Sequence, residues 1–406
     1  MSTLRRITTA TLVAALAAGL FLAGYGYGQR TAAAAASDEA GFALLRELLG
    51  ALRREYLNPV PDASVLFDGA ARGLLDALGD PYTRYMDAKA FREFSQDTQG
   101  FFFGIGIFID IRDGGLIVVQ PIEGTPAHRA GLRAGDRIRR INGVATDGMA
   151  IQEAVSRIRG PAGSRVTLTI ARPERTFDVE ITRARVQIVT VQGAGALEPA
   201  VQRRLTAERI GYLRILTFND QTAAEVAAEL ERIRRAGARG LLLDLRNNGG
   251  GLLDAAVDVA GRFVPQGRPV VHIVGRDGRR TTERAGGGPK VALPLVVLVN
   301  EFSASASEIL AGALRDSAGA TLVGQQTFGK GVIQSVFPLR AGGGAAITTA
   351  KYLTPSNHDI HGRGIPADVA VGDRLEGKGE AEVARILEAQ LQRGIDVARQ
   401  RIAGQR

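Results

Sequence analysis

Apolar strand-like segments and amphipathic helical segments alternate between residues 188 and 371, and this order restricts the possible fold more than any other feature of the chain. The strand-like segments are Ile210–Ile215, Leu241–Leu245, Leu295–Val299 and Thr321–Gly324. Helical patterns, such as Ala223–Arg235, separate each of them from the next. Regular alternation of this kind predicts a parallel sheet with helices on its faces, that is, an α/β core.

Composition narrows the class of protein further. The 406 residues suffice for two or three domains, and 45% apolar with 23% charged residues is typical of a soluble globular protein. The net charge of +9 comes mostly from arginines dispersed among acidic residues, and tryptophan is absent, so nucleic-acid binding is not predicted. The absence of cysteine excludes disulfides, thiolate metal sites and cysteine nucleophiles.

The first 36 residues indicate export from the cytoplasm. Arg5 and Arg6 precede an apolar run over residues 7–27, and small residues follow at 31–36. This order is typical of a secretory signal, but the run is also nearly long enough to span a bilayer. A cleaved signal and a retained inner-membrane anchor both stay open. Either one locates the folded part in the periplasm or cell envelope.

A β-rich segment over residues 97–186 follows a helical region and has the pattern of a peptide-binding domain. Residues 131–138 (GLRAGDRI) and the later Asn142-Gly143 resemble the signature of a bacterial protease PDZ domain. A glycine-containing loop before a strand can bind a terminal carboxylate through backbone N–H groups, and the strand edge can accept the peptide. The loop residues are Phe103, Gly104, Ile105 and Gly106. We expect them to bind apolar polypeptide C-termini, unless the glycines only permit tight packing.

Ser305 is the best candidate nucleophile. It lies where the apolar strand Leu295–Val299 ends and a helix begins, the edge at which α/β sheets present reactive groups. Ser305 and Glu308 also match a capping box, so an ordinary helix cap is the alternative interpretation. The positive end of a helix dipole at this position favours a developing oxyanion.

A serine nucleophile needs a base, and the histidines do not supply an obvious one. His128 lies in the PDZ-like segment, and His272 lies on a strand-like segment far from any Asp-bearing motif. His358 and His361 have a spacing that weakly suggests zinc, but no third ligand is apparent. All four are interpreted as non-catalytic, and no metal or cofactor is predicted.

Lys330 is the better candidate base. It lies between Gly329 and Gly331, whose small size permits close backbone approach. A lysine acts as a base only when neutral, so burial must lower its pKa. The following residues alternate like a strand, which would align Lys330 and Gln334 on one face.

These strings resemble the carboxy-terminal processing peptidases, also called tail-specific proteases. The resemblance rests on residues 303–308 (SASASE), on residues 328–331 (FGKG) followed by Gln334, and on an inserted PDZ domain. It implies that Ser305 is the nucleophile, Lys330 the base and Gln334 its orienting partner. The oxyanion hole would use the N–H of Ala306 and of Gly250 or Gly251. The family usually has proline where Gly249 stands, so the choice of glycine stays open.

The resemblance also implies the architecture and the substrates. The predicted fold is an α+β multidomain protein with an α/β catalytic core, an inserted β-rich PDZ domain and helical N- and C-terminal segments. The substrates would be polypeptides with apolar C-termini, and an activator or adaptor protein stays open. The expected regions are a signal or anchor (1–36), a helical region (37–96), the PDZ domain (97–186), the protease core (187–373) and a C-terminal helical segment (374–406).

Two other functions fit parts of the sequence. Residues 324–331 (GQQTFGKG) nearly match a phosphate-binding loop, but Gly331 lacks the magnesium-binding hydroxyl and no helix follows, so an ATPase is disfavoured. A catalytically silent PDZ scaffold would keep the peptide groove and lose one of the catalytic pair. Since Ser305 and Lys330 are both present, the protease interpretation is preferred.

The last segment predicts an amphipathic helix with an apolar stripe. The stripe consists of Val383, Ile386, Leu387, Leu391, Ile395, Ala398 and Ile402. Such a stripe can join copies of the chain into a homo-oligomer through its terminal helices, or it can pack on the chain's own core. The sequence leaves both possibilities open.

Overall fold

The structure, a computed structural model, describes residues 38–112, 114–288, 290–340 and 342–404. The chain divides into two units, residues 1–73 and residues 74–406. The signal or anchor predicted for residues 1–36 lies outside the described residues. Within the described ranges, no helix has the length and apolar character needed to cross a membrane.

The first unit is helical where it is described. Helix α1 covers residues 38–55, and helix α2 (Ala63–Asp76) begins in this unit. Both helices carry exposed apolar side chains, among them Phe42, Leu44 and Phe67. This arrangement confirms the helical N-terminal segment expected from the apolar periodicity.

The first elements that lie wholly in the second unit are a short strand and a helix. These are β1 (Arg84–Met86) and α3 (Ala88–Thr98). The side chain of Asp87 caps α3 by accepting hydrogen bonds from the N–H groups of Lys89 (3.0 Å) and Ala90 (2.8 Å). The sequence pattern predicted helix here but not the strand.

A β-rich domain follows. Its elements are β2 (Phe101–Gly104), β3 (Ile107–Arg112), β4 (Gly115–Pro121), α4 (Pro126–Arg129), β5 (Arg137–Ile141), β6 (Val144–Ala145), α5 (Ile151–Ile158), β7 (Arg165–Arg172), β8 (Arg175–Thr182) and β9 (Ala184–Gln187). The main sheet has the order β3-β4-β5-β7-β8, and β2 pairs antiparallel with β9. Ile105, Ile138 and Leu168 form part of its buried core. β3 is therefore an edge strand of a separate small domain.

The remaining elements form the core domain. They are β10 (Val191–Gly193), α6 (Pro199–Glu208), β11 (Ile210–Ile215), α7 (Thr222–Arg235), β12 (Gly240–Asp244), α8 (Leu253–Ala260), β13 (Pro269–Gly275), β14 (Arg280–Arg284), β15 (Leu295–Val299), α9 (Ala306–Ala318), β16 (Thr321–Gly324), β17 (Val332–Pro338), β18 (Gly344–Leu353), β19 (Val369–Ala370) and α10 (Glu380–Ala403). The central sheet has the order β10-β11-β12-β15-β16-β19 and is parallel from β11 onward.

Helices cover both faces of the central sheet. Leu241 and Leu243 of β12 join the cluster formed with α7, α8 and α9, whereas Leu242 joins the cluster formed with α6 and α10. Because successive side chains of a strand point to opposite faces, a strand buried on both sides is apolar throughout. The α/β core predicted from the alternation is confirmed.

A second sheet packs beside the central one. It contains β1, β18, β13 and β14 in that order, and β17 also pairs with β18. Arg84 lies opposite Ala346 in the antiparallel pairing of β1 with β18. The sequence interpretation placed His272 on a strand-like segment, which corresponds to β13, but it did not assign β14 or β18. Through its pairing with β18, strand β1 becomes part of a sheet of the core domain.

Helix α10 packs on the chain's own sheet. Leu391, Ile395, Ala398 and Ile402 from its stripe are buried in the cluster that includes β12 and β15. A Cβ at Gly394 would lie 2.6 Å from Cδ2 of Leu298, so this helix approaches the sheet closely. Of the two possibilities left open for the stripe, packing on the core holds for these four side chains. They are unavailable for assembly.

Candidate active site

Three neighbouring parallel strands end at the same edge of the central sheet. β12 leads into residues 245–252, β15 leads to Ser305 at the start of α9, and β16 leads to Lys330. The carboxyl ends of parallel strands are where α/β sheets bind their ligands. The sheet therefore brings the predicted serine, lysine and glycine loop to one edge.

Hydrogen bonds join the three segments to one another. The carbonyl oxygen of Asn248 accepts from the N–H of Ala304 (3.0 Å) and from the hydroxyl of Ser307 (2.8 Å). The N–H of Phe328 donates to the carbonyl oxygen of Ser303 (3.0 Å). These bonds fix the glycine loop and the lysine segment against the turn that carries Ser305.

Ser305 occupies a strained turn. Its φ of 57° and ψ of −116° lie just before the first residue of α9. A non-glycine residue in such a conformation costs about 1–3 kcal/mol and persists only where its surroundings determine it. The Glu308 carboxylate accepts from the N–H of Ser305 at 2.8 Å, which is the backbone half of the predicted capping box.

Glu308 connects the serine turn with the lysine segment. Its buried carboxylate also accepts from the Thr327 hydroxyl (2.6 Å) and from the N–H groups of Gly329 (2.7 Å) and Lys330 (2.9 Å). Burial raises the pKa of Glu308, while the four hydrogen bonds favour the charged carboxylate. One side chain thus holds the backbone of both candidate catalytic residues.

Lys330 has the environment that a neutral amine requires. Burial and the nearby Arg84 guanidinium lower the pKa of Lys330, and Asp80 and Glu308 oppose this effect. Its Nζ lies 4.9 Å from the centroid of the Tyr82 ring. The lysine is therefore partly desolvated, with charges of both signs near it.

One cavity of about 350 Å³ has Ser305, Lys330 and Gln334 in its walls. The hydroxyl of Tyr352 also reaches this cavity, 2.6 Å from the carbonyl oxygen of Lys330 and 3.1 Å from that of Ser305. Burial raises the pKa of Tyr352 well above its usual value, so it stays a neutral hydrogen-bond donor. The three residues predicted to be catalytic therefore line the same cavity.

Gln334 lies in the same cavity wall as Lys330. β17 starts at Val332, so Lys330 precedes the strand, and the register shift beside Gln334 places the extra residue in β18. Lys330, Val332 and Gln334 all line the cavity. The Gln334 amide donates to Oγ1 of Thr348 at 3.1 Å.

The glycine loop approaches the serine closely. A Cβ at Gly250 would lie 2.7 Å from the carbonyl oxygen of Ala304 and 3.0 Å from the backbone nitrogen of Ala306, so a side chain at this position would clash with the serine turn. The N–H of Gly250 donates to Oδ1 of Asn248 at 2.9 Å, whereas Gly249 and Gly251 lie in the cavity wall. Of the two glycines predicted for the oxyanion hole, this geometry favours Gly251.

The histidines occupy different parts of the second unit. His272 is buried between the Thr282 hydroxyl (2.8 Å) and the Pro355 carbonyl (3.2 Å), and burial lowers its pKa. The ring of His361 lies edge-on to Tyr82, with 6.2 Å between centroids. Among the described residues, no group of three or more His, Asp or Glu side chains could hold a metal ion.

The predicted peptide loop is shorter than expected. Phe103 and Gly104 belong to β2 and pair with β9, so only Ile105 and Gly106 connect β2 to β3. Ile105 is buried in the core of the small domain, and the carbonyl oxygen of Gly106 accepts from the Thr125 hydroxyl at 3.0 Å.

Several residues of the cavity have no recognisable sequence signal. Tyr82 and Tyr352 come from segments distant from Ser305 in the chain, and nothing in their local pattern distinguishes them. Glu308 had a signal, the capping box, but that pattern predicts only one of its four hydrogen bonds. Its link to the lysine segment depends on the tertiary fold.

Comparisons with known proteins assign the chain to a family. A model of peptidase family S41 matches residues 209–371, a PDZ domain model matches 117–172, and a model of the N-terminal domain of the activating protease CtpB matches 28–90. A carboxyl-terminal-processing protease of Synechocystis sp. is 39% identical over 349 residues, which cover 85% of this chain and 80% of that protein. The chain belongs to the carboxyl-terminal-processing proteases. This family membership identifies it as a serine peptidase with a PDZ domain.

Other known proteins are also similar to this carboxyl-terminal-processing protease. The carboxy-terminal processing protease CtpA of Bacillus subtilis is 34% identical over 366 residues, covering 89% of this chain and 76% of that protein. A solved chain of Bacteroides fragilis, provisionally labelled an S41 protease, has a TM-score of 0.52 at 16% identity. The match covers 88% of this chain and 97% of that one, and it supports the fold alone.

Proposed function

We propose that this protease cleaves exported polypeptides with Ser305 as the nucleophile and Lys330 as the general base. The observation that carries the proposal is the shared cavity, in which the serine turn and a lysine with a lowered pKa meet at the ends of adjacent strands. A lysine whose pKa is lowered by burial loses its proton at a lower pH than an exposed lysine and can then accept the serine proton.

The reaction proceeds through an acyl-enzyme. Oγ of Ser305 attacks the scissile carbonyl carbon while neutral Lys330 takes the hydroxyl proton. The N–H groups of Ala306 and Gly251 stabilise the oxyanion, and the protonated lysine then gives its proton to the leaving amine. Water hydrolyses the ester by the same steps in reverse order, with Lys330 again as base. Gln334, which lines the same cavity and donates to Oγ1 of Thr348, orients Lys330.

Digestion of an unstructured protein tests the proposal. We expect the chain to cleave casein equally with and without ATP, because none of the proposed steps uses a nucleotide. Gel electrophoresis with mass spectrometry of the products measures this. Strict dependence on ATP would favour the phosphate-loop interpretation. Peptide binding without any cleavage would favour the silent scaffold.

We also propose that the PDZ domain, over about residues 97–186, binds the substrate's apolar C-terminus. The edge strand β3 has no partner on one side within the described sheet order, and Phe108 on this strand is exposed. An edge strand of this kind can accept an extended peptide, and the loop before it can bind the carboxylate.

Replacing Gly104 with leucine should raise KM about tenfold for a substrate with an apolar tail, while kcat changes little. A Cβ at Gly104 would lie 3.1 Å from the Phe102 ring, so the larger side chain displaces the loop start. Gly104 lacks the positive φ of Gly106, so the backbone tolerates the change. Steady-state kinetics with free and amidated tails measure the effect. Equal KM values for both tails in the unmodified protease would contradict tail binding.

The remaining proposals concern location and partners. Residues 5–36 support export to the periplasm or cell envelope, by a cleaved signal or an anchor. The exposed apolar side chains of α1 and α2 support contact with another protein, either a second copy or an activator.

A further inference from the structure

The turn Asp80–Thr83 lies directly before β1, and its residues Pro81 and Tyr82 line the cavity next to the candidate base. We propose that Tyr82 is a positioning residue for Lys330, and that the turn Asp80–Thr83 holds the Tyr82 ring in place. The inference deepens the serine–lysine proposal and rests on it.

The contact between Tyr82 and Lys330 has the geometry of a cation–π interaction. Nζ of Lys330 lies 4.9 Å from the centroid of the Tyr82 ring, within the range of about 6 Å for such contacts. Lysine has a long flexible stem whose ordering is entropically costly. A ring beneath the ammonium group reduces the number of positions that the amine can occupy.

The Tyr82 ring has a second neighbour, the ring of His361. His361 lies edge-on to it at 6.2 Å between centroids. The His361 backbone in turn packs against Gly331, where a Cβ would lie 2.7 Å from the His361 nitrogen. The residue after Lys330 therefore has to be small so that the histidine, and with it the tyrosine ring, can come this close to the lysine segment.

The backbone of the turn is fixed by Asp80. Its carboxylate accepts from the N–H of Tyr82 (3.0 Å) and from the hydroxyl of Thr83 (2.6 Å). Oγ1 of Thr83 accepts from the N–H of Thr348 at 3.0 Å, and Oγ1 of the same Thr348 accepts from the Gln334 amide. The turn and Gln334 thus share one anchor in β18.

The groups facing Lys330 come from several elements. Asp80 and Arg84 lie on the turn and β1, Glu308 lies on α9, and Tyr352 on β18 contacts the lysine backbone. The Tyr82 ring and the two carboxylates favour the ammonium form, and Arg84 and burial disfavour it. Loss of the ring should therefore change both the position and the pKa of the amine.

Tyr82→Leu is expected to lower kcat about tenfold and to leave KM nearly unchanged, because misplacing a base affects the chemical step. Tyr82→Phe keeps the ring and should recover most of the lost kcat. Tyr85→Leu makes the same change at another half-buried tyrosine on β1 and is the matched control. A Tyr82→Leu variant with normal kcat, or a Tyr82→Phe variant as impaired as Tyr82→Leu, would overturn the inference.

A second measurement does not depend on catalysis. Competitive acetylation of Lys330 with acetic anhydride across pH, followed by mass spectrometry, reports the pKa of the amine in the inactive Ser305→Ala background. Tyr82→Leu should lower this pKa because the ammonium loses its aromatic support, and Asp80→Asn should lower it because a negative charge is lost. Tyr85→Leu should leave it in place. An unshifted pKa in Tyr82→Leu would overturn the proposed contact.

The two measurements separate this inference from the proposal on which it rests. If Tyr82→Leu shifts the Lys330 pKa but Lys330→Arg retains activity, the serine–lysine mechanism fails and the positioning role fails with it. If Lys330→Arg is inactive and Tyr82→Leu behaves like the unmodified protease, only the role of Tyr82 fails.

Discussion

Lys330→Arg is expected to be as inactive as Ser305→Ala, with a loss of kcat of roughly 10³-fold or more. A guanidinium keeps its proton at any workable pH, so arginine retains the charge of a protonated lysine but cannot act as a base. Ser305→Ala removes the nucleophile and costs only about 1 kcal/mol of helix capping. Both variants should remain folded, which circular dichroism can check.

The pH dependence of kcat reports the protonation state of the Lys330 amine. Burial and Arg84 lower the pKa of Lys330, so the neutral amine appears at a lower pH than for an exposed lysine. Activity should be low below that pKa, where the ammonium dominates, and should rise as pH passes through it. Full activity in Lys330→Arg would contradict the assignment. So would complete loss of activity in a histidine-free variant with a native circular dichroism spectrum.

Glu308→Gln should lower kcat about 10²-fold, because Glu308 holds both catalytic segments in place. Its two carboxylate oxygens accept four hydrogen bonds, from Ser305, Thr327, Gly329 and Lys330. An amide replaces one acceptor oxygen by a donor group, which leaves at least one buried N–H without a partner at a cost of about 1–3 kcal/mol. Steady-state kinetics with thermal denaturation would separate misplacement from unfolding.

Glu301→Gln is the matched control for this variant. Glu301 is also a buried carboxylate of the core domain, and it accepts from the N–H groups of Leu375 and Glu376 at 2.7 Å. We expect the Glu301→Gln variant to lose stability but to keep most of its kcat.

Glu308→Gln should also shift the rise in activity to lower pH, since removing a negative charge near Lys330 disfavours the ammonium. An unshifted pH profile would mean that Glu308 has no electrostatic effect on the lysine.

Much of the fold could be predicted from local pattern. Ile210–Ile215, Leu295–Val299 and Thr321–Gly324 are strands with the predicted bounds, because apolar β-branched runs between helical patterns have few other solutions. Strands β14 and β18 were not assigned. They have neither the continuous apolar run of a central strand nor a strict alternation of buried and exposed residues.

The predicted site depended on two kinds of information. The positions of Ser305 and Lys330 after adjacent strands could be read from the order of elements and from the glycines around the lysine. The hydrogen-bond partner of Gln334 could not, because Thr348 belongs to β18 and this contact depends on how β18 pairs with β17. The choice between Gly250 and Gly251, which the sequence left open, also depends on tertiary contacts, since the N–H of Gly250 donates to the side chain of Asn248.

The sequence by itself determined the alternating strands and helices of the central sheet, the strand end that carries Ser305 and the glycine-flanked lysine, because caps, periodicity and glycine positions act within a few residues. Only the tertiary structure decided which distant groups surround the lysine. Pairing of β1 with β18 brings Tyr82 to Lys330, and burial of Glu308 beneath residues 327–330 joins the base to the nucleophile. These contacts depend on sheet register and packing across the whole domain, which no local pattern encodes.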